Sequence, residues 1–279
     1  MGAGSRYWEK HRMDLGLTGK TAFVMGGSRG IGRAIGRRLA AEGCAIAIAA
    51  RNAQDVNTEV EWHLSHGYKT FGFLADLSRP ENFACVLDAM RAELGDPDIA
   101  IFNPPTPPAG SFLNLSEEDF AQSFNDLVIC FMRMVRLIFP AMSERRWGRV
   151  VTIGSTVIKQ PARGALGFDY AVANLTRVAA ASASKTIAAE LAPHGITVNT
   201  IATGSINTDS AQAFFAEMAA QTKLPTRDFI ALIEQHTPVG RIGTPEEIAG
   251  LVAYLCSDLA GFTTGEVISC DGGFANNAL

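Results

Sequence analysis

The sequence predicts an α/β fold, a doubly wound sheet of about seven parallel strands with helices on both faces. Two observations predict it. Short runs that are apolar on both faces alternate with segments of helical periodicity, the pattern of a parallel sheet covered on both sides. The first of these runs, Ala22 to Met25, leads directly into a glycine-rich turn and then into a helical segment.

The strand-like runs are Ala22 to Met25, Cys44 to Ala50, Thr70 to Ala75, Ile99 to Phe102, Arg149 to Ile153, Ile196 to Ile201 and Val267 to Cys270. Helical periodicity fills Gly30 to Ala41, Gln54 to Ser65 and Asn82 to Leu94 between them, and a further helix ends near Leu191. A long helix over Ser116 to Glu144 is opened by the capping box Ser116-x-x-Asp119. Right-handed crossovers turn this order into a doubly wound sheet. Residues 1–16 read as an extension and residues 17–279 as one domain, with no internal repeat and no Gly/Ser-rich linker. Residues 208–236 interrupt the alternation as a helical lid over the carboxyl edge, where ligands bind in such folds. Phe214, Phe215 and Phe229 in that lid either line a substrate pocket or pack the lid onto the sheet.

Composition narrows the function. Of 279 residues 47% are hydrophobic, enough for a deep core, and a net charge of −4 without a basic stretch argues against nucleic acid as the main partner. The most apolar helical run, Leu127 to Met142, is broken by Arg133 and Arg136, so it reads as a core helix and not a membrane span. With no apolar leader at the start, a cytoplasmic location is expected. The five cysteines show no CxxC spacing and are expected to be buried free thiols. His63 and His66 lie three apart with no third ligand evident nearby, so no metal is expected.

Chemistry enters at Gly26-Gly27-Ser28-Arg29-Gly30-Ile31-Gly32. Gly26, Gly30 and Gly32 permit a tight turn, close approach of a pyrophosphate and packing against the sheet. The start of the helix that follows, at Ser28, Arg29, Gly30 and Ile31, faces the phosphates with free N–H groups, an anion site in a Rossmann-type context. A dehydrogenase using NAD places a carboxylate after the second strand, for the ribose 2′-hydroxyl. Here Ala50-Arg51 stands there, and Arg29 lies in the glycine loop. Two guanidiniums suit a 2′-phosphate, so NADP is the expected cofactor.

The Gly-x-x-x-Gly-x-Gly spacing resembles the short-chain dehydrogenase/reductase family, over about Gly19 to Phe274. Met25 stands where that family usually has Thr. The stretch from Pro238 to Ala249, and Thr264-Gly265-Glu266 followed by Asp271-Gly272-Gly273, are specific to the family. The resemblance implies that Asp76, with Leu77 beside it, sits at the adenine ring and that Asn103 is the last Asn of an altered Asn-Asn-Ala-Gly segment. It further implies that Gly204-Ser205-Ile206 holds the nicotinamide amide, although Thr203 replaces the usual Pro, and that Thr208 contacts a phosphate. A homotetramer acting on a small-molecule substrate is the family expectation.

The same resemblance implies a catalytic Ser, Tyr, Lys and Asn, and here the chain departs from it. Ser155 matches at the end of the fifth strand. The Asn position falls on Leu127, with Asn125 two residues away. Counting back from Gly195 puts Ala173 at the Tyr position and Arg177 at the Lys position, while Tyr170 lies three residues earlier. Thr106-Pro107-Pro108-Ala109-Gly110, Lys159-Gln160-Pro161 and Ala173 to Arg177 resemble a divergent branch near the β-ketoacyl reductases. The expected centre is therefore Ser155 and Tyr170, with Lys159 as the charge that tunes the site and Arg177 as its rival. Gly164 and Gly167 make the connecting loop pliable enough to bring Tyr170 to Ser155. The expected function is hydride transfer between NADP(H) and the carbonyl or alcohol of a small, largely apolar substrate. The altered pair keeps two alternatives open: a non-redox dehydratase or isomerase, or a dinucleotide-binding protein without turnover. Replacing Arg51→Asp is expected to lower NADP affinity more than NAD affinity, read by titrating each dinucleotide; equal loss, or none, refutes the charge argument.

Overall fold

In the computed structural model, which describes residues 14–76, 78–162 and 169–277, seven parallel strands form one sheet in the order β3-β2-β1-β4-β5-β6-β7. They are β1 (Thr21–Met25), β2 (Ala45–Ala50), β3 (Thr70–Leu74), β4 (Ile99–Phe102), β5 (Gly148–Ile153), β6 (Ile196–Thr203) and β7 (Val267–Cys270). The helices are α1 (Gly30–Ala41), α2 (Ala53–Ser65), α3 (Pro80–Leu94), α4 (Glu117–Phe124), α5 (Cys130–Arg145), α6 (Ala171–Leu191), α7 (Asp209–Gln221), α8 (Thr226–His236) and α9 (Pro245–Cys256). The doubly wound reading and all seven strands are observed, with bounds within two residues of those expected.

Every residue of β1, β4 and β5 is buried, which is why these strands lack the alternation of a half-exposed sheet. Their two faces feed two cores. Ile35 and Leu39 of α1 and Val252 and Leu255 of α9 cover one face against Ile46, Ile48 and Ile101. Phe83, Leu87 and Met90 of α3 and Phe131, Met134 and Ile138 of α5 cover the other against Phe23 and Phe102. Strand order reverses at β1, whose neighbours are β2 and β4, so a crevice opens at its carboxyl end.

Three expectations change in detail. The long helix from Ser116 is not continuous: a π-turn, Asn125–Ile129, separates α4 from α5. Its capping box is present, with Ser116 Oγ accepting from the Asp119 N–H at 3.2 Å and the Asp119 carboxylate accepting from the Ser116 N–H at 2.9 Å. Helix α9 is not anticipated by the strand pattern, yet its signal is in the chain: Thr244 caps it, Pro245 is its first residue and Glu247 closes a second capping box. The cysteines are free as expected, but Cys85 is exposed and Cys270 half-buried. On α3 the buried face runs through Phe83, Val86, Leu87 and Met90, and Cys85 lies off that face.

The lid expected over residues 208–236 is the pair α7 and α8. They share a small core of Phe215, Met218, Phe229 and Ile233, against which Ala109 and Ile242 pack. Among the described residues no helix is long and apolar enough to cross a membrane.

Candidate active site and dinucleotide cleft

The crevice beside β1 is a cleft of about 710 Å³. Of the residues expected to hold the cofactor, Gly26, Ser28, Arg29, Gly30, Ile31, Arg51, Asp76, Asn103 and Thr208 line it. Leu77 lies outside the described residues, as do Gly164 and Gly167. Gly32 does not line the cleft but makes the turn possible. A Cβ there would lie 2.1 Å from the Gly26 carbonyl oxygen, so only a glycine lets α1 start this close to β1. Gly26 and Gly30 take φ of 66° and 50°, a left-handed backbone that favours glycine.

The amino end of α1 is open. Its N-cap, Arg29, makes no side-chain cap, so the first N–H groups of the helix have no side-chain acceptor from that residue. Open N–H groups at a helix start, with no carboxylate in the first turn, form an anion site. The Asn103 amide donates to the Gly26 carbonyl at 3.5 Å, which ties the end of β4 to the glycine turn. These features fit a dinucleotide: the turn and α1 would hold its pyrophosphate, Asp76 its adenine end, and Arg29 and Arg51 the 2′ position.

Burial alone would raise the Asp76 carboxyl, but the hydroxyl and N–H of Ser78, with the charges of Arg51 and Arg79, hold it below the ordinary carboxylate value. Thr208 caps α7, accepting from the Ala211 N–H at 3.1 Å, and its methyl lies close over Gly30. Gly204 and Ile206 do not reach this cleft. Gly204 packs against Asp271, and Ile206 is buried beside a second, smaller cavity of about 110 Å³.

Reading the chain alone missed several lining residues, among them Asn52, Asp55, Ser78, Asp126 and Cys130. For Asp55 a signal existed. Asn52-x-x-Asp55 is a helix start, with Asn52 Oδ1 accepting from the Asp55 N–H at 3.0 Å, and that places Asp55 in the first turn at the carboxyl edge. Asp126 and Cys130 come from the π-turn and its end. An extra residue in the turn rotates α5 relative to α4, and Cys130 meets the cleft while Leu127 is buried with Val128 and Ala180. Asn125 is thereby directed to the Ser78 carbonyl, at 3.4 Å.

The residues expected at the catalytic centre lie on the stretch from the end of β5 into α6. Ser155 follows β5 and caps a 3-10 turn over Thr156–Ile158, and Lys159 closes that turn. Tyr170 directly precedes α6, and Arg177 lies seven residues on, near enough for each charge to act on the other. Arg177 is buried and donates to the Ile153 carbonyl at 3.4 Å, which sets its guanidinium under the end of β5. Burial raises the Tyr170 hydroxyl above its ordinary value, and the Arg177 charge opposes it. Burial likewise pulls Arg177 down to about 10, with Tyr170 opposing, so it remains a cation near neutrality. The charge that acts on Tyr170 is that of Arg177.

Tyr170 is held from two further sides. A parallel bridge pairs it with Gly110, with the Gly110 N–H on the Asp169 carbonyl at 2.8 Å and the Ala171 N–H on the Gly110 carbonyl at 3.2 Å. The Phe214 ring of the lid lies 5.8 Å from the Tyr170 ring, centre to centre. Phe215 and Phe229 pack the lid core, so of the three lid phenylalanines Phe214 is the one beside Tyr170. His63 proves to be a core residue, buried with its Nδ1 donating to the Glu59 carbonyl at 2.8 Å, and His66 stacks on Trp62.

A family model described as enoyl-(acyl carrier protein) reductase matches residues 26–275. The NADPH-dependent reductase BacG of Bacillus subtilis is 32% identical, covering 92% of this chain and 98% of its own. The 3-oxoacyl-[acyl-carrier-protein] reductase FabG of Escherichia coli is also 32% identical, over 93% of this chain and 98% of its own. This chain belongs to the short-chain dehydrogenase/reductase family. Among solved structures, L-sorbose reductase from Gluconobacter frateurii complexed with NADPH and L-sorbose is similar, with a TM-score of 0.88 at 27% identity, over 95% of this chain and all of that one. The bacilysin-biosynthesis NADPH-dependent reductase YwfH has a TM-score of 0.86 at 30% identity, over 92% and 99%. Within the short-chain dehydrogenase/reductase scaffold, the glycine turn predicts a sharp sensitivity. Gly32→Ala is expected to weaken dinucleotide binding at least about tenfold by equilibrium titration, because the turn must open before the phosphates can be held. Unchanged affinity would show that the Gly26–Gly32 contact does not shape the anion site.

Proposed function

We propose that this protein is an NADP-dependent oxidoreductase that reduces the carbonyl of a small, largely apolar substrate, with Tyr170 as proton donor, Arg177 as its fixed charge and Ser155 orienting the carbonyl. When bound, the nicotinamide supplies the hydride. The observation that carries the reading is the Tyr170–Arg177 pair, with Tyr170 directly before α6 and Arg177 bonded to the carbonyl of Ile153, two residues before Ser155 in the chain. The NADPH-dependent relatives support the choice of cofactor, as do Arg29 and Arg51 in the cleft.

The chemistry follows from the environment of Tyr170. A carbonyl held by the Ser155 hydroxyl gathers negative charge as it is reduced, and the Tyr170 hydroxyl donates its proton to that oxygen. The Arg177 cation, fixed under β5, stabilises the phenolate left behind without itself supplying a proton. Burial keeps the Tyr170 phenol protonated at neutral pH, and the Arg177 charge opposes that rise and so eases release of the proton. Phe214 beside Tyr170 presents an apolar wall to the substrate.

NADPH consumption with a panel of aldehydes, ketones and β-ketoesters tests the reading; tight NADPH binding without consumption would favour the non-redox or non-catalytic alternatives. Tyr170→Phe is expected to lower turnover about two to four orders of magnitude with NADPH affinity kept. Reductive turnover is expected to stay flat from about pH 6 to about pH 9, while oxidation rises with pH, since Tyr170 loses its proton only above its ordinary range. Near-normal turnover in Tyr170→Phe, with loss in Ser155→Ala or Lys159→Ala, would move proton delivery away from Tyr170.

The reading includes a homotetramer, or at least a dimer. Phe124 of α4, Ile129 of the π-turn and Leu175 and Val178 of α6 leave apolar side chains exposed on adjoining elements. Sedimentation at micromolar concentration is expected to give the oligomer, and a monomer would refute it.

A further inference from the structure

The rim of the cleft between β1 and β3 carries four charged side chains: Arg29 of the glycine turn, Arg51 after β2, Asp55 in the first turn of α2 and Asp76 after β3. The two cations are not idle. Arg29 Nε lies 3.3 Å from Asp55 Oδ2, and the Arg51 charge acts on Asp76. Asp55 and Asp76 offset the two positive charges that the arginines alone would provide. Asp55 Oδ2 is shielded from solvent and, among the described residues, accepts no hydrogen bond, so the ion pair with Arg29 is what holds it. The cap from Asn52 fixes the backbone of Asp55, which keeps its carboxylate facing the glycine turn.

We infer that Asp55 is a specificity-determining residue that competes with the cofactor 2′-phosphate for Arg29 and so narrows the preference for NADP(H) over NAD(H). The inference rests on the NADP reading above. A 2′-phosphate is an anion seeking the guanidinium that Asp55 already engages, and it must share Arg29 with a neighbouring like charge. A cofactor without that phosphate leaves the Arg29–Asp55 pair in place, and the second carboxylate oxygen is free to accept from a ribose hydroxyl. Arg51 and Asp55 therefore act in opposite directions on one choice, and the sequence position after β2, which holds only Arg51, carries half of the determinant. Asp55 also sits where a carboxylate favours the start of α2, so a purely structural role predicts lost stability with no change in cofactor choice.

Calorimetric titration of the full chain with NADP and with NAD, for wild type, Asp55→Asn and Arg29→Ala, separates these roles without relying on turnover. Asp55→Asn keeps the side-chain shape and removes the charge. It is expected to tighten NADP about three- to tenfold, to weaken NAD or leave it unchanged, and to show a gain that shrinks at high salt. Arg29→Ala is expected to loosen NADP and abolish that gain when combined with Asp55→Asn. An NADP-to-NAD affinity ratio that stays constant or falls in Asp55→Asn, with wild type binding NADP, overturns the inference and leaves the function reading standing. Wild type that binds neither dinucleotide overturns both. A fall in melting temperature with an unchanged ratio assigns Asp55 to the helix start alone and overturns the specificity role.

Discussion

The close approach of α1 to β1 at the Gly26–Gly32 contact is the constraint from which the rest of the site follows. It holds the helix start open, with its N–H groups at the carboxyl edge of the sheet, and it aligns that start with the reversal of strand order at β1. The charged rim, the Asn103 tie to the Gly26 carbonyl and the lid cap at Thr208 all sit around this one turn. A side chain at Gly32 would push α1 off the sheet and separate groups that come from five different elements.

Burial does different work at the two ends of the site. At the rim, charges are partly exposed and meet in pairs, so each arginine is moderated by a carboxylate and solvent screens what remains. Under β5, Arg177 is buried against the Ile153 carbonyl and acts on Tyr170, and the same desolvation that lowers the arginine raises the phenol. A buried arginine keeps its charge where a lysine would more readily lose it. Tyr170 in turn depends on three separate segments: α6 for the charge of Arg177, the Gly110 bridge for its backbone and α7 for Phe214.

The interruption of the long helix shows how a local irregularity reshapes a site. The residues from Ser116 to Glu144 carry a helical period throughout, and the capping box at Ser116 is plain in the chain. A π-turn leaves no comparable mark, because it changes one hydrogen-bond step and not the apolar pattern. Its effect is nonetheless large. It turns Cys130 to the cleft, buries Leu127 against α6 and sends Asn125 to the Ser78 carbonyl.

From the sequence alone came the sheet and its seven strands, the glycine turn, the cationic pair Arg29 and Arg51, and the family resemblance that the comparisons bear out. These are local properties: apolar runs, glycine spacing and charge near a strand end act within one element or its immediate neighbour. Which cation faces Tyr170, which acid meets Arg29 and which lid phenylalanine stands by the site were decided only by the tertiary structure. Each depends on how far apart two elements lie and how deeply a side chain is enclosed. Electrostatic pairing and desolvation vary with that separation and depth, and the order of residues along the chain encodes neither directly.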